Sequence, residues 1–360
     1  MAGTESDSVT HDYLESLLGT PHADGVFVLS LGEDARGGTD SLRPGDIVTH
    51  IGGQALTDMG VYYKAMKPGG ADDKTRRLTL ARQDGRRLEV TVPSGARSLN
   101  VCPVKTGVPA WTQVSDFEEE PDFSALHDGV EHALRNSFGE EAAGWERIRI
   151  ARRGELIDVE IDFRLGGHSE PGKTWEYYTL SRSTHRLDRS LSLARTAFWD
   201  GKPGQRKLRG DVELGANGLW RGVHVSPSCE EQRVEFKSPS RGMLTGYTTT
   251  LLPLIMPLRE GAAKTFAHTA DGNGRSGIRE RIECTGRQTV RVDGQDLNAW
   301  CFAWRHYGTR PPEEDEKFYV TDDRKLVRID WGPSYGFCWC EAVPKDRLAE
   351  GVPAHVLGED

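Results

Sequence analysis

From Trp145 to Ala342 the chain repeats one local pattern: short runs in which apolar and polar residues alternate, separated by turn residues. In Leu156-Ile-Asp-Val-Glu-Ile-Asp-Phe163, the side chains of Ile157, Val159, Ile161 and Phe163 fall on one side of an extended backbone. Comparable runs occupy 145–150, 175–180, 218–225, 232–236, 279–284, 288–292, 299–307, 317–321, 326–331 and 336–342. A period of two buries one face only when strands pair, and many short strands joined by turns predict an antiparallel sheet curling toward a barrel or half-barrel. Two stretches break the pattern. Ser124 precedes a predicted helix over 125–137, in which Leu126, Val130 and Leu134 recur four apart. The apolar stretch 248–260, containing Leu251-Leu-Pro-Leu-Ile-Met-Pro-Leu258, predicts a helical insert packed inside or across the curl.

At 360 residues the chain has room for more than one core. Its N-terminal third is organised differently. An apolar strand at Gly25-Val-Phe-Val-Leu-Ser-Leu31 is followed by Leu42-Arg-Pro-Gly-Asp-Ile-Val-Thr-His-Ile-Gly-Gly-Gln54. There Pro44-Gly45 predicts a tight turn, Ile47, Val48 and Ile51 supply core side chains, and Gly52-Gly53 predicts a hairpin. Thr57 caps a short predicted helix, 58–66, with Met59, Tyr62 and Met66 on one face. Strands at 77–82 and 87–92 flank the Asp84-Gly85 hairpin signal.

This order of strand, Leu-Arg-Pro-Gly-Asp-Ile-Val, Ile-Gly-Gly-Gln, helix and Arg-x-Asp-Gly hairpin resembles the bacterial PDZ domains of HtrA-type and site-2 proteases. The resemblance implies a small partly open β-barrel with helices, binding an extended peptide or a protein C-terminus by β-augmentation. It implies a carboxylate loop leading into Gly25, a pairing edge at Val26, Phe27, Val28 and Leu29, and an opposite wall carrying Tyr62, Tyr63 and Met66. Thr20-Pro-His-Ala-Asp24 departs from the family's usual loop. Residues 240–345 resemble the half-barrel domains of uncharacterised bacterial envelope proteins related in architecture to periplasmic lipoprotein carriers. The segments carrying this likeness are the apolar helix, Leu258-Arg-Glu-Gly261, Val290-Arg-Val-Asp-Gly294, Asn298-Ala-Trp-Cys301 and Phe318-Tyr-Val-Thr-Asp-Asp-Arg-Lys-Leu-Val-Arg-Ile-Asp-Trp331. That likeness implies a concave face able to hold an acyl chain; the residues themselves fit a barrel filled by its own side chains equally well.

Tests for chemistry return nothing catalytic. The sequence carries no Gly-x-Ser-x-Gly elbow and no His-Glu-x-x-His helix, so neither a serine hydrolase nor a zincin is indicated. His168, His185, His224, His268 and His306 lack ligand spacing. Asp271-Gly-Asn-Gly-Arg-Ser-Gly277 fails as a calcium loop at Arg275, Ser276 and Ile282. Cys102, Cys229, Cys284, Cys301, Cys338 and Cys340 are too sparse for a disulfide scaffold and form no zinc-type pairs, which leaves buried thiols or one bridge among the last four. Formal charge is -9, from 55 acidic against 46 basic residues, which disfavours nucleic acid as a partner. No apolar run reaches the roughly 18 residues of a membrane helix. The polar start, Met1-Ala-Gly-Thr-Glu-Ser-Asp-Ser8, predicts a cytoplasmic protein, or an envelope protein whose signal was removed or whose start is misplaced.

The expectation is therefore a mainly β (α+β) chain: a PDZ domain over 20–94, a linker over 95–122, an antiparallel β-rich half-barrel or barrel with one or two helices over 123–346, and a tail over 347–360. The expected function is that of a non-enzymatic adaptor without cofactor or metal, with a protein or peptide at the PDZ groove and a second ligand or partner at the β-rich domain. The rivals are an envelope lipid or lipoprotein carrier with an apolar cavity, and an enzyme of unrecognised type.

Overall fold

The computed structural model describes residues 23–31, 42–56, 59–66, 75–93, 99–104, 117, 119–170, 173–189, 191–216, 218–225, 231–237, 243–245, 247–269, 276–306, 315–331 and 338–357. The expected cap at Thr57 and most of 271–277 lie outside these residues. The chain divides into two compact units: the first is Met1–Gln113 with short pieces at 277–279 and 306–311, and the second is the remainder from Val114.

The first unit is built from β1 (Gly25–Leu31), β2 (Ile47–Ile51), β3 (Gln54–Ala55), α1 (Met59–Met66), β4 (Thr75–Ala81), β5 (Arg87–Pro93) and β6 (Leu99–Val104). The main strands lie in the order β5-β4-β2-β1-β6, with β3 on β2. Val26, Val28, Leu42, Val48, Ile51, Tyr62, Met66, Leu78 and Leu80 form one core on the helix-bearing side. The Pro44-Gly45 turn appears as predicted, with Gly45 at φ 92 where a side chain would be strained. Asp46 fastens the turn: its Oδ2 accepts from the Arg43 amide at 2.9 Å and its Oδ1 from Arg82 Nε at 3.0 Å. Two expectations are corrected. The segment expected to be linker from residue 95 contains β6, which pairs with β1 from Gly25↔Val104 to Leu31↔Leu99. Because β2 occupies the other side of β1, the expected peptide-pairing edge is already taken on both sides by the chain itself.

The second unit is a 15-stranded sheet. Its strands are β7 (Glu131–Phe138), β8 (Glu141–Arg153), β9 (Leu156–Glu170), β10 (Lys173–Arg186), β11 (Leu193–Asp200), β12 (Lys207–Leu214), β13 (Leu219–Val225), β14 (Glu231–Lys237), β15 (Met243–Thr245), β16 (Ala263–Thr269), β17 (Ser276–Val292), β18 (Gln295–His306), β19 (Glu316–Val320), β20 (Leu326–Asp330) and β21 (Cys338–Ala342). The order runs from β14 down to β7, then β21 down to β15, so the last strand lies beside the first. Of the strand pairings described, β15 with β16 is parallel and the others are antiparallel. Ile148, Ile157, Val159 and Ile161 from one flank share a core with Leu244, Phe266, Phe302 and Phe318 from the other. A flat sheet could not bring those side chains together; the sheet is curled around them.

At the centre of the curl lies α2 (Leu251–Ile255), entered through a 3-10 turn at Tyr247–Thr250. Leu251, Leu252, Leu254 and Ile255 are essentially solvent-free, so the expected apolar insert fills the interior, each such side chain contributing ~1.5–3 kcal/mol. Arg324 ends it by donating to the Leu254 and Met256 carbonyls, and is itself held by Asp122 at 2.9 Å. The predicted helix over 125–137 is corrected to a 3-10 turn, Phe123–Ala125, followed by β7. Gly129 at φ 80 interrupts any helix there, and pairing with β8 on one side and β21 on the other outweighs the four-residue spacing of Leu126, Val130 and Leu134. The expected tail is also corrected. In it, α3 (Ala354–Leu357) docks on the outer side of β9 and β10, where Val356 is buried against Gly166 and the His355 carbonyl accepts from Tyr178 Oη at 2.9 Å.

Candidate functional site

Alternation along β7 to β10 decides which side chains enter the curl. On β8 the inward positions include Glu146, Ile148 and Ile150; on β9 they include Ile157, Val159, Ile161 and Phe163. Toward the Gly144 end of these strands the apolar lining stops. Glu146 stands across from Leu134 on β7 and from Phe163 on β9. The Phe163 ring meets Tyr177 edge-on at 6.1 Å, and Phe138 meets Trp175 edge-on at 5.8 Å. Phe138 belongs to β7 and Trp175 to β10, so this contact reaches across two intervening strands. Glycine permits close approach here: a Cβ on Gly144 of β8 would lie 2.0 Å from the Arg164 carbonyl of β9, and the Trp175 indole lies against Gly167. Tyr177, at 46%, is the exposed large hydrophobic side chain among the described residues. This end of the curl, called the mouth below, carries aromatic rings on its inward-facing positions.

Beside these rings the chemistry is polar and unpaired. Glu146 is fully buried, and neither carboxyl oxygen has a hydrogen-bond partner. Burial raises its pKa to about 8, so the group is mainly protonated at neutral pH. Asn136, also solvent-free, donates from Nδ2 to the Arg164 carbonyl at 3.5 Å and leaves Oδ1 without a partner. His132, on the same face of β7, is driven down to about 4 by burial and is neutral. Cys338 and Cys340 on β21 face Glu146 closely enough that its charge, after burial, raises both thiols. Among the described residues no group of three or more His, Cys, Asp or Glu side chains is arranged to hold a metal ion.

Away from the mouth, several inward polar groups are hydrogen-bonded. The inner face of β10 carries Thr179, Ser181, Ser183 and His185, all buried, with His185 bonded to Ser183 Oγ at 3.0 Å and to the Leu191 carbonyl at 3.2 Å. Glu280 Oε2 accepts from Trp304 Nε1 at 2.6 Å. On the outer face, a groove of about 700 Å³ over β8 to β11 contains Arg149, Arg153, Arg182 and Arg195. Each of these is already matched, to Glu160, Asp158, Glu160 and Asp211 respectively, a cross-strand charge lattice that needs no ligand. Another groove, about 780 Å³, lies beside Arg135, Arg328 and Trp339, whose ring is covered by Arg328 at 4.3 Å.

The residues expected to bind peptide are placed otherwise. Gly25, Val26, Phe27 and Val28 are buried in β1, and Tyr62 and Met66 belong to the core of the first unit; for Leu29 and Tyr63 only the backbone is described. The structure thus brings Val26, Val28, Tyr62 and Met66 together as packing, not as the walls of a groove. Cys284, Cys301, Cys338 and Cys340 are free and buried. Cys301 lies with Val290 and Tyr319 in a cluster separate from the interior that holds Cys340, so no bridge joins them. Cys338 is pushed up to about 12 and the other thiols upward, chiefly by burial. Alkylation mapped by mass spectrometry should therefore leave these cysteines unmodified in the native protein at pH 8 and label them only on unfolding. Sequence reasoning missed Glu146 because a carboxylate among alternating residues reads as a solvent-facing position; its parity with Ile148 and Ile150 was the available signal.

No family model matches the chain, and no curated protein matches it. The chain is similar to the crystal structure of a β-barrel-like protein of a domain of unknown function, DUF1849, from Brucella abortus, with 12% identity and a TM-score of 0.36, over 59% of this chain and 94% of that one. The PDZ resemblance is overturned: no PDZ family model matches, and the strand it assigned to ligand pairing is closed by β6. The coarser expectation stands, a mainly β chain built on large antiparallel sheets.

Proposed function

We propose that this chain is a non-enzymatic binding protein whose β-rich unit takes a small, partly apolar ligand at the aromatic mouth. One observation carries the reading: an exposed Tyr177 and its neighbouring rings stand over Glu146, whose buried carboxyl oxygens have no partner. Native interiors satisfy nearly all buried polar groups, so an orphaned acid beside exposed aromatic surface supports a ligand-binding role. The neighbouring thiols offer no nucleophile, because burial holds them protonated.

The test is a ligand screen by NMR on the full chain, using small amphipathic fragments and the Trp175 indole N–H as reporter, assigned through Trp175→Phe. Fragments should shift that resonance, and Tyr177→Ala should weaken them about ten-fold, the worth of one lost ring contact. Fragments that leave the Trp175 signal unmoved at millimolar concentration would remove the mouth as a binding site.

A further inference from the structure

We infer that the head group this mouth takes is a primary ammonium, seated between Glu146 and Asn136 beneath the aromatic rings. The inference rests on reading the mouth as a ligand site and concerns only what that site selects. Once Glu146 is ionised, the orphaned atoms there that belong to Glu146 and Asn136 are all acceptors: Oε1 and Oε2 of Glu146 and Oδ1 of Asn136. They come from the inward faces of neighbouring strands, with Leu134 and Glu146 directly paired and Asn136 opposite Gly144, two residues before Glu146 on β8. A primary ammonium brings N–H donors in matching number and a charge that compensates the buried carboxylate.

The surroundings favour a cation over a neutral donor. Among the described residues no ion pair involves Glu146; the titratable groups facing it are the Cys338 and Cys340 thiols on β21 and the neutral His132 on β7. Phe138, Phe163, Trp175 and Tyr177 offer ring faces and edges that hold an alkylammonium stem, with cation–π attraction to rings whose faces it reaches. Access requires local opening at this end of the curl, since the acceptor atoms are closed from solvent. Proton balance follows directly. The empty site holds Glu146 mainly as the acid; the bound ammonium stabilises the carboxylate, and one proton passes from Glu146 to solvent. With Glu146 at about 8, roughly 0.9 proton is released per ligand at pH 7 and little above pH 9.

The experiment is isothermal titration calorimetry of the full chain with n-hexylammonium, 1-heptanol and n-hexyltrimethylammonium, each at pH 7 in phosphate and in Tris. Hexylammonium should bind at least ten-fold tighter than the other probes, with an apparent enthalpy that differs between the buffers by the heat of about 0.9 proton. Glu146→Gln should lose at least ten-fold for hexylammonium while heptanol binding holds, and the wild-type buffer dependence stands as evidence even where that variant folds poorly. Equal affinity for hexylammonium and heptanol, with no buffer dependence, would overturn the ammonium inference and leave the mouth as a site. A protein that takes none of the probes would overturn both.

Discussion

Replacing Glu146 by glutamine is expected to stabilise the protein at neutral and alkaline pH and to flatten its stability profile between pH 5 and 8. The folded carboxyl titrates at about 8 against an ordinary 4.5, because burial disfavours its charge. Between those values the folded chain holds a proton that the unfolded chain releases, so stability is fully present at low pH and falls as pH rises toward 8. At pH 7 the loss is about 3 kcal/mol, and it levels off near 5 above pH 8. Glutamine keeps the shape without the titration. Urea unfolding of both proteins at several pH values measures the difference, which should be small at pH 4.5 and grow with pH. A difference that stays constant across that range would mean that Glu146 is not neutral in the folded chain.

Much of the sheet was legible, because period-two alternation reports burial of one face whatever the register. Ile157, Val159, Ile161 and Phe163 line the interior as their spacing indicates. Strand partners were not legible: nothing in the residues of β21 says that it inserts beside β7 rather than stopping at β20. The four-residue spacing of Leu126, Val130 and Leu134 misled because two flanking strands supply hydrogen bonds that a helix would otherwise make internally. The site was the least legible part. Glu146, Asn136 and Tyr177 are ordinary strand residues in sequence, and only the register of β7 to β10 brings them to one end of the curl, where the Trp175 indole lies against Gly167. The block that looked most specific, Leu-Arg-Pro-Gly-Asp, proves to be a folding device. Its glycine supplies positive φ and its aspartate ties the turn to Arg82 at the end of the neighbouring strand β4.

That tie sets the second large effect: Arg82→Ala should destabilise the first unit by about 3–5 kcal/mol, the range for breaking a buried ion pair from one side. Both side chains are nearly solvent-free, Arg82 at 6% and Asp46 at 5%, so removing the guanidinium leaves a carboxylate in a low-dielectric site with the Arg43 amide and the weaker pull of the Arg43 charge to compensate it. Burial already raises the Asp46 pKa despite Arg82, and without that cation it rises further. The variant should therefore lose stability most at neutral pH and recover part of it as Asp46 protonates in acid. Hydrogen exchange read residue by residue in β1, β2 and β4 measures the loss where it occurs. Adding Asp46→Asn to the Arg82→Ala chain should restore part of the protection, because the penalty lies in the orphaned charge rather than in the missing contact. If the double variant is as unstable as the two single losses added together, Arg82 acts through packing of its stem and not through Asp46.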